Sequence, residues 1–125
     1  MVFDTDVFIW VQRGSANAAH MVDEAAERYI SVQTYMELLQ GSRDKREQRL
    51  NKDFLRDMDF ITLPLTENIG LRAAVYVEQY ALSSGLRAGD ALVAATAVEN
   101  GMPLATSNVK HYRAIAGIVV RPLKP

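Results

Sequence analysis

Cysteine is absent from the 125 residues, which excludes disulfides and thiolate metal sites and leads us to expect a cytoplasmic protein. Histidine is scarce: His20 and His111 are far apart, and neither has a second nitrogen ligand nearby, so a zinc site is not expected. No stretch approaches the roughly 20 apolar residues that would cross a bilayer. The opening MVFDTDVFIW is apolar, but it has no basic leader and carries two acids, so it does not read as a signal peptide. Repeats, low-complexity runs and linkers are missing as well. The length suits one domain over 1–125, with enough apolar residues, 49%, to bury a core without staples.

Neither sign of charge dominates overall, the net being -1, but the charge is unevenly spread. Residues 43–56 carry six basic and three acidic side chains, and residues 107–125 carry four basic ones and no acid, which leaves -8 for the remainder. A basic strip beside an acidic remainder suits a protein that handles phosphates at a metal site. The plainer alternative is a solvated helix face and an irregular tail.

Hydrophobic spacing predicts strands and helices in alternation. Residues 1–4 read as a buried strand, followed by a helical turn or two ending at Gly14. Ala18, Val22, Ala25 and Tyr29 then recur at helical spacing behind the potential cap Ser15. YISV (29–32) is a second strand and QTYMELLQG (33–41) a helix. Leu50, Phe54 and Met58 mark an amphipathic helix through the basic segment, and FITLPL (60–65) is a third strand. Ile69, Ala73, Val77 and Tyr80 form the stripe of the next helix, and AGDALVAATAVENG a helix apolar on most sides. MPLAT, NVKHYRAI and IVVR (118–121) complete the chain as strand, helix and strand. Short strands alternating with helices predict a three-layer α/β/α sandwich around a mainly parallel sheet.

In such a sheet every strand points to one edge, and ligands bind in the crevice beyond the strands' carboxyl ends. Asp4 closes the first strand, Glu37 follows the second, and Asp90 opens a helix whose returning strand delivers Thr106, Ser107 and Asn108 beside it. These residues are remote in sequence, yet the topology gathers them at one edge. Asp4 and Asp6 interrupt a ten-residue run in which seven residues are apolar, and Glu37 lies between Tyr35-Met36 and Leu38-Leu39. Acids buried in apolar runs need compensation, and the nearest base in sequence, Arg43, is six residues from Glu37. A divalent cation would supply it, and oxygen-only donors favour Mg²⁺ or Mn²⁺. Each acid also has a plainer role: Asp4, Asp6, Asp90 and Asn108 as helix caps, and Glu37 as a helix-edge side chain reaching solvent. Tyr35, Tyr76, Tyr80 and Trp10 read as packing.

The segments VFDTDVFIW, SVQTYMELLQG, PLTENIGLRA and GLRAGDALVAATAVENGMPLATSNVKHY, in this order and spacing, resemble a PIN-domain ribonuclease, specifically the VapC-like toxins of toxin–antitoxin pairs. The resemblance spans nearly the whole chain. It implies a PIN-like sandwich and a Mg²⁺- or Mn²⁺-dependent endoribonuclease, restrained by a cognate antitoxin and commonly dimeric. By position it assigns the three acids to Asp4, Glu37 and Asp90. The fourth acidic position of the wider family falls at Asn108, which puts a full second metal site in doubt.

Taken together, Asp4 and Asp90 are expected to bind the metal, with Glu37 holding it through water or activating the attacking water. Asp6, Thr106, Ser107 and Asn108 are expected to support the site or orient the phosphate. Arg43, Lys45, Arg46, Arg49, Lys52, Lys110 and Arg113 are candidates to track the RNA backbone. Two alternatives stand beside this reading. One is a haloacid-dehalogenase-like phosphatase with Asp4 as nucleophile, although the late acidic pair that class needs is missing. The other is a binding module whose acidic pocket receives a basic partner segment.

Overall fold

In the computed structural model, which describes residues 1–125, helix caps follow directly on two of the strands. β1 (Val2–Phe3) stops where Asp4 caps α1 (Thr5–Gln12), and α2 (Ala16–Glu24) leads to β2 (Tyr29–Ser31). Ser31 is both the last residue of β2 and the cap of α3 (Val32–Gln40), its hydroxyl accepting the Thr34 N–H at 3.0 Å. With no loop between strand and helix, α1 and α3 start at the sheet edge. Asp4 therefore belongs to the helix cap and not, as expected, to the strand.

α4 (Lys45–Asp57), β3 (Ile61–Leu63), α5 (Glu67–Ser84), α6 (Ala88–Glu99), β4 (Leu104–Thr106), α7 (Val109–Tyr112) and β5 (Val120–Pro122) follow. All five strands are parallel, in the order β3-β2-β1-β4-β5. The chain builds outward from β1 on one side and from β4 on the other. β1 and β4, paired Val2 to Leu104 and Phe3 to Ala105, thus flank the point where the order reverses.

Side chains of a strand alternate between faces, and the core divides accordingly. Val2 and Leu104 pack with Ile69, Ala73 and Tyr76 of α5 and with the small residues of α6. Phe3, Ile30 and Ala105 pack on the opposite face with Val7, Phe8, Ala18, Val22, Leu38 and Leu55 from α1 to α4. This is the expected α/β/α sandwich. Spacing finds both stripes but misses the most buried residue of α4 and one buried residue of α5. α4 turns Leu55 into the core while Leu50 stays 54% exposed, and α5 buries Tyr76 more deeply than Val77 or Tyr80. The predicted Ile69 and Ala73 are buried, and Phe54, Met58, Val77 and Tyr80 pack half-buried against the core, because a 3.6-residue period lets positions three and four apart share one face.

Candidate active site

The crevice at the carboxyl ends of β1 and β4 is where the acids converge. Asp4 is 5% exposed, and three donors fix its carboxylate. Oδ1 accepts the Thr5 N–H at 2.8 Å, while Oδ2 accepts the hydroxyls of Thr106 at 2.9 Å and Tyr112 at 3.0 Å. Burial, reinforced by the neighbouring Asp6 charge, raises its pKa from 3.8 to about 7 despite these donors. Tyr112 is held above the ordinary phenol range by burial and by the charges of Asp4 and Asp90.

Asp90 is the third residue of α6. Its Oδ2 accepts the Arg87 N–H at 3.3 Å and lies 3.5 Å from His111 Nδ1, while its Oδ1 is 3.4 Å from the Tyr112 hydroxyl. Glu37 joins from α3: its Oε1 is 3.3 Å from both the Thr5 hydroxyl and the Gln33 side-chain amide. A Cβ added at Gly89 would stand 3.1 Å from Gln33 Nε2 and 3.8 Å from Glu37 Oε1. A side chain there would press on the Gln33 amide, so glycine before Asp90 lets the start of α6 lie against Gln33 without displacing it.

The remaining predicted residues separate. Asp6 caps nothing; it reaches across to the β4–α7 turn, where it accepts the Ser107 N–H at 2.9 Å and also the Ser107 hydroxyl. Thr106 and Ser107 thus hold Asp4 and Asp6 in place. Asn108 occupies the cap position of α7, but its exposed side chain makes no cap bond; its backbone is engaged instead, the N–H donating to the Thr106 hydroxyl at 3.0 Å and the carbonyl accepting the His111 N–H at 3.1 Å. Arg43 is tied to Glu47 at 2.7 Å and lines, with Glu37, a groove of about 830 Å³ floored by Phe8, Leu38 and Leu55. Lys45, Arg46, Arg49 and Lys52 are exposed on α4 outside that groove, and Lys110 and Arg113 are exposed on or just after α7.

Four residues join the site without a signal in the sequence pattern: Thr5, Gln33, Trp10 and Tyr112. Trp10 packs as expected, but its indole N–H also donates to Ser107 Oγ at 3.3 Å. Tyr112 lies in a predicted helix with nothing in its spacing to single it out. Its signal is chemical, a phenol hydroxyl in an apolar segment that needs a partner once buried.

No three Asp, Glu or His side chains are gathered as a ready-made cage for a metal ion. The donor chemistry nevertheless fits a hard divalent cation. The acidic donors are all carboxylate oxygens, and no lysine, arginine or histidine pairs with Asp4, Asp6 or Glu37. Asp4 is therefore a buried carboxylate with no countercharge.

The fold and site define an α/β/α protein with a carboxylate crevice at the switch point of a parallel sheet. More specifically, the chain belongs to the PIN domain family, which matches residues 1–117. The fold is shared by solved structures, among them the following three. A chain of a toxin–antitoxin complex from Klebsiella pneumoniae is 24% identical, with 94% of each chain covered and a TM-score of 0.79. A chain of VapBC2 from Rickettsia felis, bound to a DNA fragment from their promoter, is 16% identical over 99% of this chain and 100% of that one, with a TM-score of 0.79. A chain of VapBC-1 from nontypeable Haemophilus influenzae is 22% identical over 98% of each, with a TM-score of 0.78. No curated sequence matches the chain. The VapC-like resemblance of the sequence and the fold of these chains agree, and the phosphatase alternative is left without support.

Proposed function

We propose that this PIN-domain protein is a Mg²⁺- or Mn²⁺-dependent endoribonuclease and the toxin half of a toxin–antitoxin pair acting in the cytoplasm. The observation that carries the reading is Asp4, a buried carboxylate without a countercharge at the switch point, linked by hydroxyls to Asp6 and Asp90 and through Thr5 to Glu37.

Asp4 and Asp90 would hold the cation, with Glu37 beside them. When bound, such a cation lowers the pKa of water and stabilises charge developing on a phosphate. Glu37, less buried than Asp4 and oriented by Thr5 and Gln33, accepts the proton of the water that attacks phosphorus. The new P–O bond forms as the bond to the leaving ribose oxygen breaks, and that oxygen takes a proton from solvent, giving one phosphate end and one hydroxyl end. Trp10, whose indole N–H donates to the Ser107 hydroxyl, steadies the Asp6–Ser107 pair. The exposed bases of α4 and α7 supply the sequence-independent attraction for the RNA backbone.

The groove beside Glu37 suits an apolar antitoxin segment that places a basic side chain against the acids. The Klebsiella, Rickettsia and Haemophilus relatives, described as toxin–antitoxin or VapBC structures, support that partner. Leu71, Val75 and Leu82 on the outer face of α5 are 61%, 45% and 103% exposed, which favours a homodimer.

A second reading has an observation of its own. Because no three of the acids stand close enough to form a ready-made cation cage, the crevice would also serve a non-catalytic module that receives a basic segment. Purified protein incubated with RNA, in Mn²⁺ or in EDTA, separates the two. We expect cleavage only with metal and a loss of at least about 100-fold in Asp90→Asn, on the scale seen when a transition-state charge stabiliser is removed. No metal-dependent cleavage by the parent leaves the binding module.

A further inference from the structure

Tyr112 ends α7 with its ring fully buried in the α5–α6 core, and its hydroxyl faces two acids that belong to different elements. The hydroxyl oxygen is 3.0 Å from Asp4 Oδ2 and 3.4 Å from Asp90 Oδ1. No other side-chain hydroxyl reaches both acids. Asp90 has no other hydroxyl partner; its remaining neighbours are the Arg87 N–H and His111.

A carboxylate offers about four acceptor sites, and their use at Asp4 shows what the contact does. Tyr112 and Thr106 fill the two on Oδ2 and the Thr5 N–H takes one on Oδ1, which fixes the carboxylate plane and leaves Oδ1 open. The Tyr112 proton is also shared at longer range with Asp90 Oδ1, 3.4 Å away, so one hydroxyl lies between the two acids. The ring is locked in the core, so the hydroxyl cannot swing away. A phenylalanine would fill the same space, and a buried phenol is costly unless bonded. The two acids are what makes a tyrosine worthwhile here.

We propose that Tyr112 is a positioning residue for the metal centre, its hydroxyl orienting Asp4 and Asp90 so that both can engage one divalent cation. This rests on the reading of those acids as ligands. Partners that orient metal ligands typically change affinity by about 10- to 100-fold when removed.

The test is Mn²⁺ titration by calorimetry on the full chain, comparing the parent with Tyr112→Phe, and melting of both in EDTA as a control for folding. We expect Tyr112→Phe to bind Mn²⁺ about 10- to 100-fold more weakly while melting cooperatively in EDTA. Equal Mn²⁺ affinity would overturn the proposal and leave the metal site standing, because the hydroxyl would then only satisfy a buried acid. Tighter binding would also overturn it, making the hydroxyl a competitor of the cation. A parent that takes up no Mn²⁺ sinks the reading of the acids as ligands, and this proposal with it.

Discussion

Replacing Asp4 by asparagine should stabilise the metal-free protein at pH 8, and the structure indicates by how much. The carboxyl titrates near 3.8 when unfolded and at about 7 when folded. Between those values the native state holds a proton that the unfolded chain has released. Stability must therefore fall as pH rises through this window and level off above it. With each tenfold change in proton affinity equivalent to about 1.36 kcal/mol, the cost reaches about 4 kcal/mol above the window. Asparagine removes that cost and fits the bonding pattern. Its oxygen can keep the cap on the Thr5 N–H while its amide donates to the hydroxyls of Thr106 and Tyr112. Those hydroxyls then donate onward to Asp6 and Asp90, which already lie within 3.4 Å of them. Allowing for imperfect amide geometry, Asp4→Asn should gain about 2–4 kcal/mol at pH 8, which for a chain of this size is on the order of 10 °C in Tm. Melting curves of parent and variant in EDTA, from pH 4 to 8, read this directly. The two curves should converge near pH 4 and separate as pH rises, and excess Mn²⁺ should raise only the parent. A parent whose stability, relative to the variant, is flat or increasing across the window would refute the account of Asp4 as a buried, uncompensated acid.

Two further outcomes follow from the geometry. Glu37→Gln keeps an oxygen for Thr5 and Gln33, so it should leave Tm within about 1 °C, as expected for a substitution that preserves its contacts, yet reduce metal-dependent RNA cleavage by roughly 100-fold or more, the scale of a lost general base. Replacing Lys45, Arg46, Arg49 and Lys52 together by alanine should lower RNA affinity and flatten its dependence on log salt by up to about 3 units, at roughly 0.7 per single-strand phosphate contact. Filter binding at several salt concentrations checks this; an unchanged slope would show that α4 does not meet the backbone.

How much of this was legible in the sequence depended on the range of the interaction. Helices and strands declared themselves through period and caps: Ser15 caps α2 as its position suggests. The sandwich followed from strand and helix alternation. That Asp4, Glu37 and Asp90 share an edge followed from parallel connectivity alone, because each strand must return to the same side before the next helix begins. What stayed hidden was contact between side chains from different elements. Asp6 and Ser107 meet across 101 residues of sequence, and Tyr112 reaches Asp4 across 108. Such pairs depend on the pitch of α1 against α7, which no local pattern encodes. Gly89 is similar: in sequence it is a weak helix residue, and only the approach of Gln33 shows that a side chain there would crowd a neighbour.

The choice between cap and ligand, open for Asp4 and Asp90 at the level of sequence, is not a real alternative in the structure, because a carboxylate has two oxygens. Asp4 gives Oδ1 to the first N–H of α1 and turns Oδ2 into the crevice; Asp90 gives Oδ2 to the Arg87 N–H and turns Oδ1 toward the same point. Capping thus leaves acceptor capacity on each acid, on Oδ1 of Asp4 beside its bond to Thr5 and on Oδ1 of Asp90. The amino ends of α1 and α6 also direct their positive poles at these carboxylates, partly offsetting their mutual repulsion before any cation arrives. Alanine at either position removes both roles at once, costing about 1 kcal/mol from the cap alone, and lost activity in such a variant does not separate a weakened helix start from a missing ligand. Asparagine keeps the capping oxygen and removes only the charge. Chemistry and folding come apart only in that comparison, so the acids of this crevice are to be tested by amide substitution rather than truncation.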